Sequence, residues 1–186
     1  MQPYLLRGKA NNKIDELSTG MKRRLQIARA LLNQPKIIIA DEPTTGLDPQ
    51  ARHMIWQRLR ELKKKGATMI LTTQYMEEAE QLCDRVVIMH KGQILRQGPV
   101  AGMIEEEIGS DVAEIDIDCA QDEAIINSIS SLASGHERVG DILYIYSRQG
   151  HELRKKIFEL NLPKVLHRPS SLEDVFLKIT GRGLIE

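Results

Sequence analysis

The stretch that decides the fold is Ile37-Ile38-Ile39-Ala40-Asp41-Glu42-Pro43. Residues 36–40 form a short, mainly β-branched run without polar alternation, the pattern of a parallel strand buried on both faces. The run ends in two adjacent carboxylates. That places Asp41 and Glu42 at the C-terminal edge of a parallel sheet, where open α/β sheets bind their ligands. Asp41 suits a hard cation such as Mg2+, held directly or through water, and Glu42 suits an attacking water that must be oriented or deprotonated. On this segment alone, a strand ending in an ordinary polar turn is the favoured reading.

Working outward, helix and strand alternate. Ser18 is placed to cap a helix running to about residue 33, because a serine oxygen accepts from the free amides of a first helical turn. Leu25, Ala28, Leu31 and Leu32 share one face of that helix, with Lys22, Arg23 and Arg29 largely elsewhere. Arg23 and Arg24 read as a solvated face. Pro49 suits the first turn of the next helix, which ends at Lys63-Lys64-Lys65-Gly66, since cations favour a helix C-terminus and glycine stops it. A strand over 68–72, a helix over 75–82, a strand over 85–89 and a turn at Lys91-Gly92 into 94–97 complete an α/β layered sheet.

Past residue 100 the pattern changes. It reads as strand 112–118, helix 121–132, strands 137–139 and 142–147, helix 151–160, strand 164–167 and helix 171–180. This is the βαββαβ order of a ferredoxin-like module with one further helix. Asp116 and Asp118 alternate with Ile115 and Ile117, as a sheet with one wet face requires. Charge divides in the same way. The chain has 186 residues with no formal net charge, yet residues 1–100 carry 17 basic and 10 acidic side chains (+7) and residues 101–186 carry 9 and 16 (−7). We therefore expect two modules, 1–100 and 101–186.

The ordered series LSTGM (17–21), IIIADE (37–42), GLDP (46–49) and the Gln74 segment after the next strand resembles the C-terminal half of an ABC transporter ATP-binding subunit. Within that family, LSTGMKRRL and the closing PSSLEDVF (169–176) are similar to the ATPases of drug, antibiotic or polysaccharide exporters of the daunorubicin-resistance type. The resemblance implies a partial nucleotide-binding domain, a parallel sheet with flanking helices, followed by the ferredoxin-like module as a regulatory element. It implies ATP and Mg2+ as cofactors. Ser18, Thr19 and Gly20, at a helix N-terminus whose free amides attract anions, would grip the γ-phosphate of a nucleotide on an opposite subunit. Asp41 would serve Mg2+, Glu42 would polarise water, Gln74 would stand at the switch position, and Asp48 would communicate across a dimer. The implied partners are a membrane-spanning permease subunit and a second ATP-binding chain, either another copy or an intact subunit. The implied location is the cytoplasm, at the cytoplasmic face of the membrane when assembled.

Three departures qualify this. No GxxxxGK[ST] phosphate loop occurs in the chain, so the backbone amides and lysine that cradle the β- and γ-phosphates are missing. The family's switch histidine is Gln74, whose amide donates a hydrogen bond but carries no charge. Thr19 replaces the second-position glycine of the commonest signature. The expectation is an incomplete ABC-type ATPase that does not hydrolyse ATP by itself. The alternative is a non-enzymatic interaction module acting in trans on an intact ATPase. Nucleic acid is not expected as a partner, since aromatic residues make up only 4% and no base-stacking series occurs.

The remaining expectations are structural. No apolar run approaches the ~20 residues needed to span a bilayer, and residues 1–4 lack a signal-peptide pattern. Cys83 and Cys119 form no CxxC pair, so neither a disulfide framework nor a zinc site is expected. Trp56 reads as a packing residue. The strand over 36–40 needs cover on both faces, and the segment Tyr4 to Ala10 is too short and polar to provide it. An apolar patch and self-association are therefore expected.

Overall fold

The structure is a computed structural model and describes residues 11–181. The segment expected to be poor cover, Tyr4 to Ala10, lies outside the described residues. Two compact units divide the chain, Met1–Cys83 and Asp84–Glu186.

In the first unit, α1 (Thr19–Ala30) precedes β1 (Ile37–Asp41), α2 (Pro49–Lys64), β2 (Thr68–Thr72) and α3 (Met76–Leu82). β1 and β2 pair in parallel, with Ile37 opposite Thr68, Ile39 opposite Ile70 and Asp41 opposite Thr72. One face of this pair is packed. Met69 and Leu71 lie against a core of Leu47, Ala51, Ile55, Trp56, Leu59 and Leu82. Trp56 is therefore a packing residue, as expected. The other face is open: Ile37 is 64% exposed, Ile39 76% and Ile70 56%. This corrects the expectation that the 36–40 strand is buried on both sides. The helices of the unit cover a single face, and an apolar sequence records a strand's demand for cover rather than its supply.

The second unit opens with an antiparallel hairpin, β3 (Arg85–His90) and β4 (Gln93–Pro99), followed by α4 (Val100–Glu107). Next come β5 (Asp111–Asp116), α5 (Asp122–Ile129), β6 (Gly135–Val139), β7 (Ile142–Ser147), α6 (Gly150–Glu159), β8 (Val165–Pro169) and α7 (Leu172–Thr180). The antiparallel sheet runs in the order β6-β7-β5-β8, which is the ferredoxin-like arrangement expected from the βαββαβ sequence. Ala113, Ile115, Leu143 and Ile145 pack one face of it against Ile125 and Ile129 of α5 and Leu153 and Ile157 of α6. The hairpin and α4 fall within this compact unit, whereas the charge pattern suggested a break near residue 100. The difference has a physical source: β4 runs through Gly98 into Pro99 and on into α4 without a linker, and α4 packs against α7. Asp118 is not part of the expected wet strand face. It caps a 3-10 turn, accepting a hydrogen bond from the Ala120 amide at 2.9 Å.

On the sheet's second face, Arg168 forms the strongest polar node. Its Nε reaches Glu114 at 2.7 Å, and its Nη1 and Nη2 donate to both carboxyl oxygens of Asp174 at 2.7 Å each. Such a two-pronged contact is geometrically specific. Burial pushes the Asp174 carboxyl up, but the hydrogen bonds from Arg168 and from Ser171 overcome this and hold it below the usual carboxylate range. Gly109 has φ +106°, and a Cβ there would overlap the backbone of Ser147. Only glycine fits this entry into β5.

Candidate functional site

Because β1 and β2 are parallel and in register at Asp41 and Thr72, their C-terminal ends meet at one sheet edge. Asp41 and Glu42 stand at that edge, and the exposed Gln74 follows two residues beyond the end of β2.

Each carboxyl group at the edge has a threonine hydroxyl beside it. Thr72 Oγ1 donates to Asp41 Oδ1, and Thr45 Oγ1 donates to Glu42 Oε2 at 2.9 Å. The Glu42 amide donates to the Thr72 carbonyl at 2.9 Å. Glu42 itself has φ +42°, a left-handed conformation that costs a non-glycine residue ~1–3 kcal/mol unless its surroundings over-determine it. Arg23 supplies part of that restraint. From the second turn of α1 it donates to the carbonyls of Asp41 and Glu42 through Nη2 and to that of Pro43 through Nε at 3.2 Å. Its reading as a solvated side chain is therefore corrected. Sequence could not reveal this, because its partners are backbone carbonyls, which carry no residue identity. Arg24 donates to the Gly20 carbonyl, within its own helix.

The turn continues into α2. Asp48 is the N-cap of that helix, its Oδ1 accepting from the Ala51 amide at 2.9 Å, with Pro49 in the first turn. At the start of α1, Ser18 caps in the same way, its Oγ accepting from the Met21 amide at 3.3 Å. Thr19 and Gly20 open this helix, and a Cβ on Gly20 would stand 3.3 Å from Leu47 Cδ2. The structure therefore brings Gly20 close to the Gly46-Leu47-Asp48 segment, while Ser18 remains at the head of α1.

Glu78, a further residue the sequence reading passed over, stands behind the turn. It is fully buried on α3, and its Oε1 accepts from Thr44 Oγ1 and from Trp56 Nε1, each at 2.8 Å. Glutamate is rarely buried without such partners. Its sequence signal was weak, since the neighbouring Glu77 and Glu80 make it look like one more surface charge.

The donor set fits a magnesium-bound phosphate in part. Asp41 offers hard oxygen beside Thr72, and the first amides of α1 can receive an anion. Among the described residues no group of three or more His, Cys, Asp or Glu side chains could hold a metal ion on its own. Asp41 would therefore share a cation with substrate oxygens and water.

Residues 2–45 match the family described as ABC transporter, and residues 119–181 match the C-terminal domain of the nodulation factor export protein NodI. Over nearly its full length the chain is similar to the C-terminal part of ABC transporter ATP-binding subunits. The Nod factor export ATP-binding protein I of Burkholderia lata is 47% identical over 180 residues, covering 96% of this chain and 58% of that protein. The protein of the same name from Rhizobium johnstonii is 46% identical over 179 residues, covering 96% and 57%. The chain thus spans under two thirds of the length of these relatives. Neither carries the daunorubicin-resistance description expected from the signature. A solved structure described as an ATP-binding subunit of an ABC transporter is 38% identical with a TM-score of 0.46, covering 50% of this chain and 39% of that one.

Proposed function

We propose that this chain provides the signature and hydrolytic segments of an exporter's ATP-binding subunit of the Nod factor export type, working with a separate membrane-spanning permease. The observation that supports this is the sheet edge itself, where β1 ends at Asp41 beside Thr72 of the parallel β2, with Glu42 next in the chain. In this reading Asp41 holds Mg2+, Glu42 orients the attacking water, and Gln74 donates to a phosphate oxygen. Ser18, Thr19 and Gly20 present the α1 amides to a nucleotide on an opposite ATP-binding chain. Asp48 acts at the same contact between chains, in addition to capping α2. The ferredoxin-like unit regulates, and the assembly works at the cytoplasmic face of the membrane. Among the described residues no helix is long and apolar enough to cross a membrane.

The 186 residues by themselves are expected not to hydrolyse ATP. Phosphoryl transfer is catalysed mainly by positioning and charge neutralisation of the phosphates, and no phosphate-loop motif occurs in this sequence. An assay of the chain with Mg-ATP should show no turnover above background. A steady turnover abolished by Glu42→Gln would overturn that expectation. The second reading, a module acting in trans, is favoured by the position of Gly20 at the head of α1 and has its own test. If it holds, adding the chain to an intact ATP-binding subunit raises that subunit's rate, and Gly20→Trp removes the effect. An unchanged rate sinks it.

A further inference from the structure

We infer that Glu78 is a positioning residue that couples the start of α3 to the left-handed backbone of Glu42. The inference rests on the reading of the 41–48 turn as the hydrolytic segment.

The turn is held from two directions. From α1, Arg23 grips the carbonyls of Asp41, Glu42 and Pro43. From α3, Glu78 accepts the hydroxyl proton of Thr44, a fully buried residue only two positions beyond Glu42. A left-handed glutamate persists only where the surroundings over-determine it, and these two anchors bracket it. Glu42 has φ +42° between them. The same Glu78 oxygen accepts from Trp56 in the middle of α2, so one atom ties the turn, α2 and α3 together. Its other oxygen is buried without a hydrogen-bond partner. A buried polar atom left unsatisfied is costly, so packing alone does not account for a glutamate here.

The consequence is directional. α3 begins at Met76, two residues after Gln74. The Arg52 guanidinium lies 4.4 Å from the centre of the Tyr75 ring and holds the start of that helix against α2. A displacement of the Gln74 segment therefore reaches Thr44 through Glu78, and reaches Glu42 through the turn. Gln74 and Glu42 are thereby linked behind the sheet edge.

The test is amide hydrogen exchange by NMR on the full chain, and it involves no nucleotide. Thr44→Val removes one hydrogen bond at constant shape. It should speed exchange of the Thr45 and Leu47 amides, which close the turn, by about tenfold, while Ile55 and Leu59 in α2 stay at wild-type rates. Glu78→Gln, which keeps the accepting oxygen, should remain near wild type. Tyr75→Ala, which loosens the start of α3 without touching the turn, should speed the same two amides by about threefold. Two results would overturn the inference: turn amides that do not respond to Thr44→Val or Tyr75→Ala, or a rise shared equally by α2, which marks general destabilisation. Failure of the nucleotide reading would show as absent ATP chemistry in assembled subunits and would leave these exchange rates unaffected.

Discussion

At the scale of single residues, the polar contacts that matter most pair groups far apart in the sequence. Arg168 illustrates this in the second unit: it reaches Glu114, 54 residues away, as well as the nearby Asp174, which also closes a capping box at the start of α7. Asp174→Ala removes the cap and leaves Arg168 with Glu114 alone, so it should destabilise the chain by about 3 kcal/mol, measured by urea unfolding. His167, in register with Ala113 on the core-facing side of β8, makes a pH prediction. Burial pushes its imidazole below the ordinary 6.5, and the neighbouring Arg154 charge adds to this, outweighing the opposing pull of Asp111. The unfolded chain therefore binds the His167 proton more readily than the folded one. The stability this contributes is complete above pH 6.5 and declines as pH falls through the lower folded value. Asp174 behaves alike at lower pH: its contribution is present above 3.8 and is lost as pH falls through its depressed folded value. Unfolding free energies measured from pH 7 to 5 should fall for wild type and fall less steeply for His167→Gln. Parallel slopes would remove this account.

At the scale of elements, helix starts were the most legible features. Ser18 and Asp48 are caps because a short side-chain oxygen before a helix satisfies amides that have no partner within it. Asp48→Ala should therefore cost about 1 kcal/mol of stability even without nucleotide or a second chain. An unchanged midpoint would assign Asp48 to assembly alone. Helix ends were less legible. α1 stops at Ala30 and α5 at Ile129, both short of the expected 33 and 132, because the final turns depend on what they pack against. Gly109 belongs to this scale too. Gly109→Ala should destabilise the chain by about 2 kcal/mol, from its positive φ and from overlap with Ser147, and a melt within error of wild type would contradict it.

At the scale of the whole molecule, the open face of β1 and β2 dominates. Three isoleucines stand in solvent on it, and among the described residues β1 has a single strand partner. Exposed edges invite pairing with other chains, and contiguous apolar patches seldom persist on monomers. The full chain should therefore self-associate as concentration rises, and Ile39→Lys should shift it toward monomer, with light scattering as the measurement. A wild-type chain that remains monomeric across a wide concentration range would refute this.

The sequence by itself determined the alternation of elements in the first unit, the βαββαβ order of the second, the caps, and the ending of the apolar strand β1 at the Asp41-Glu42 pair. These follow from short-range chemistry, namely hydrophobic period, capping oxygens and the parallel register that an α/β alternation imposes. Only the tertiary structure decided which face of β1 is covered, where the compact units divide, that Arg23 grips the carbonyls of the turn, and that Glu78 is buried behind it. Each of these depends on partners distant in the sequence, and the partner atoms are in many cases backbone carbonyls or a single hydroxyl. A local pattern of apolar and charged residues states what a segment needs, and the folded chain determines which of those needs are met.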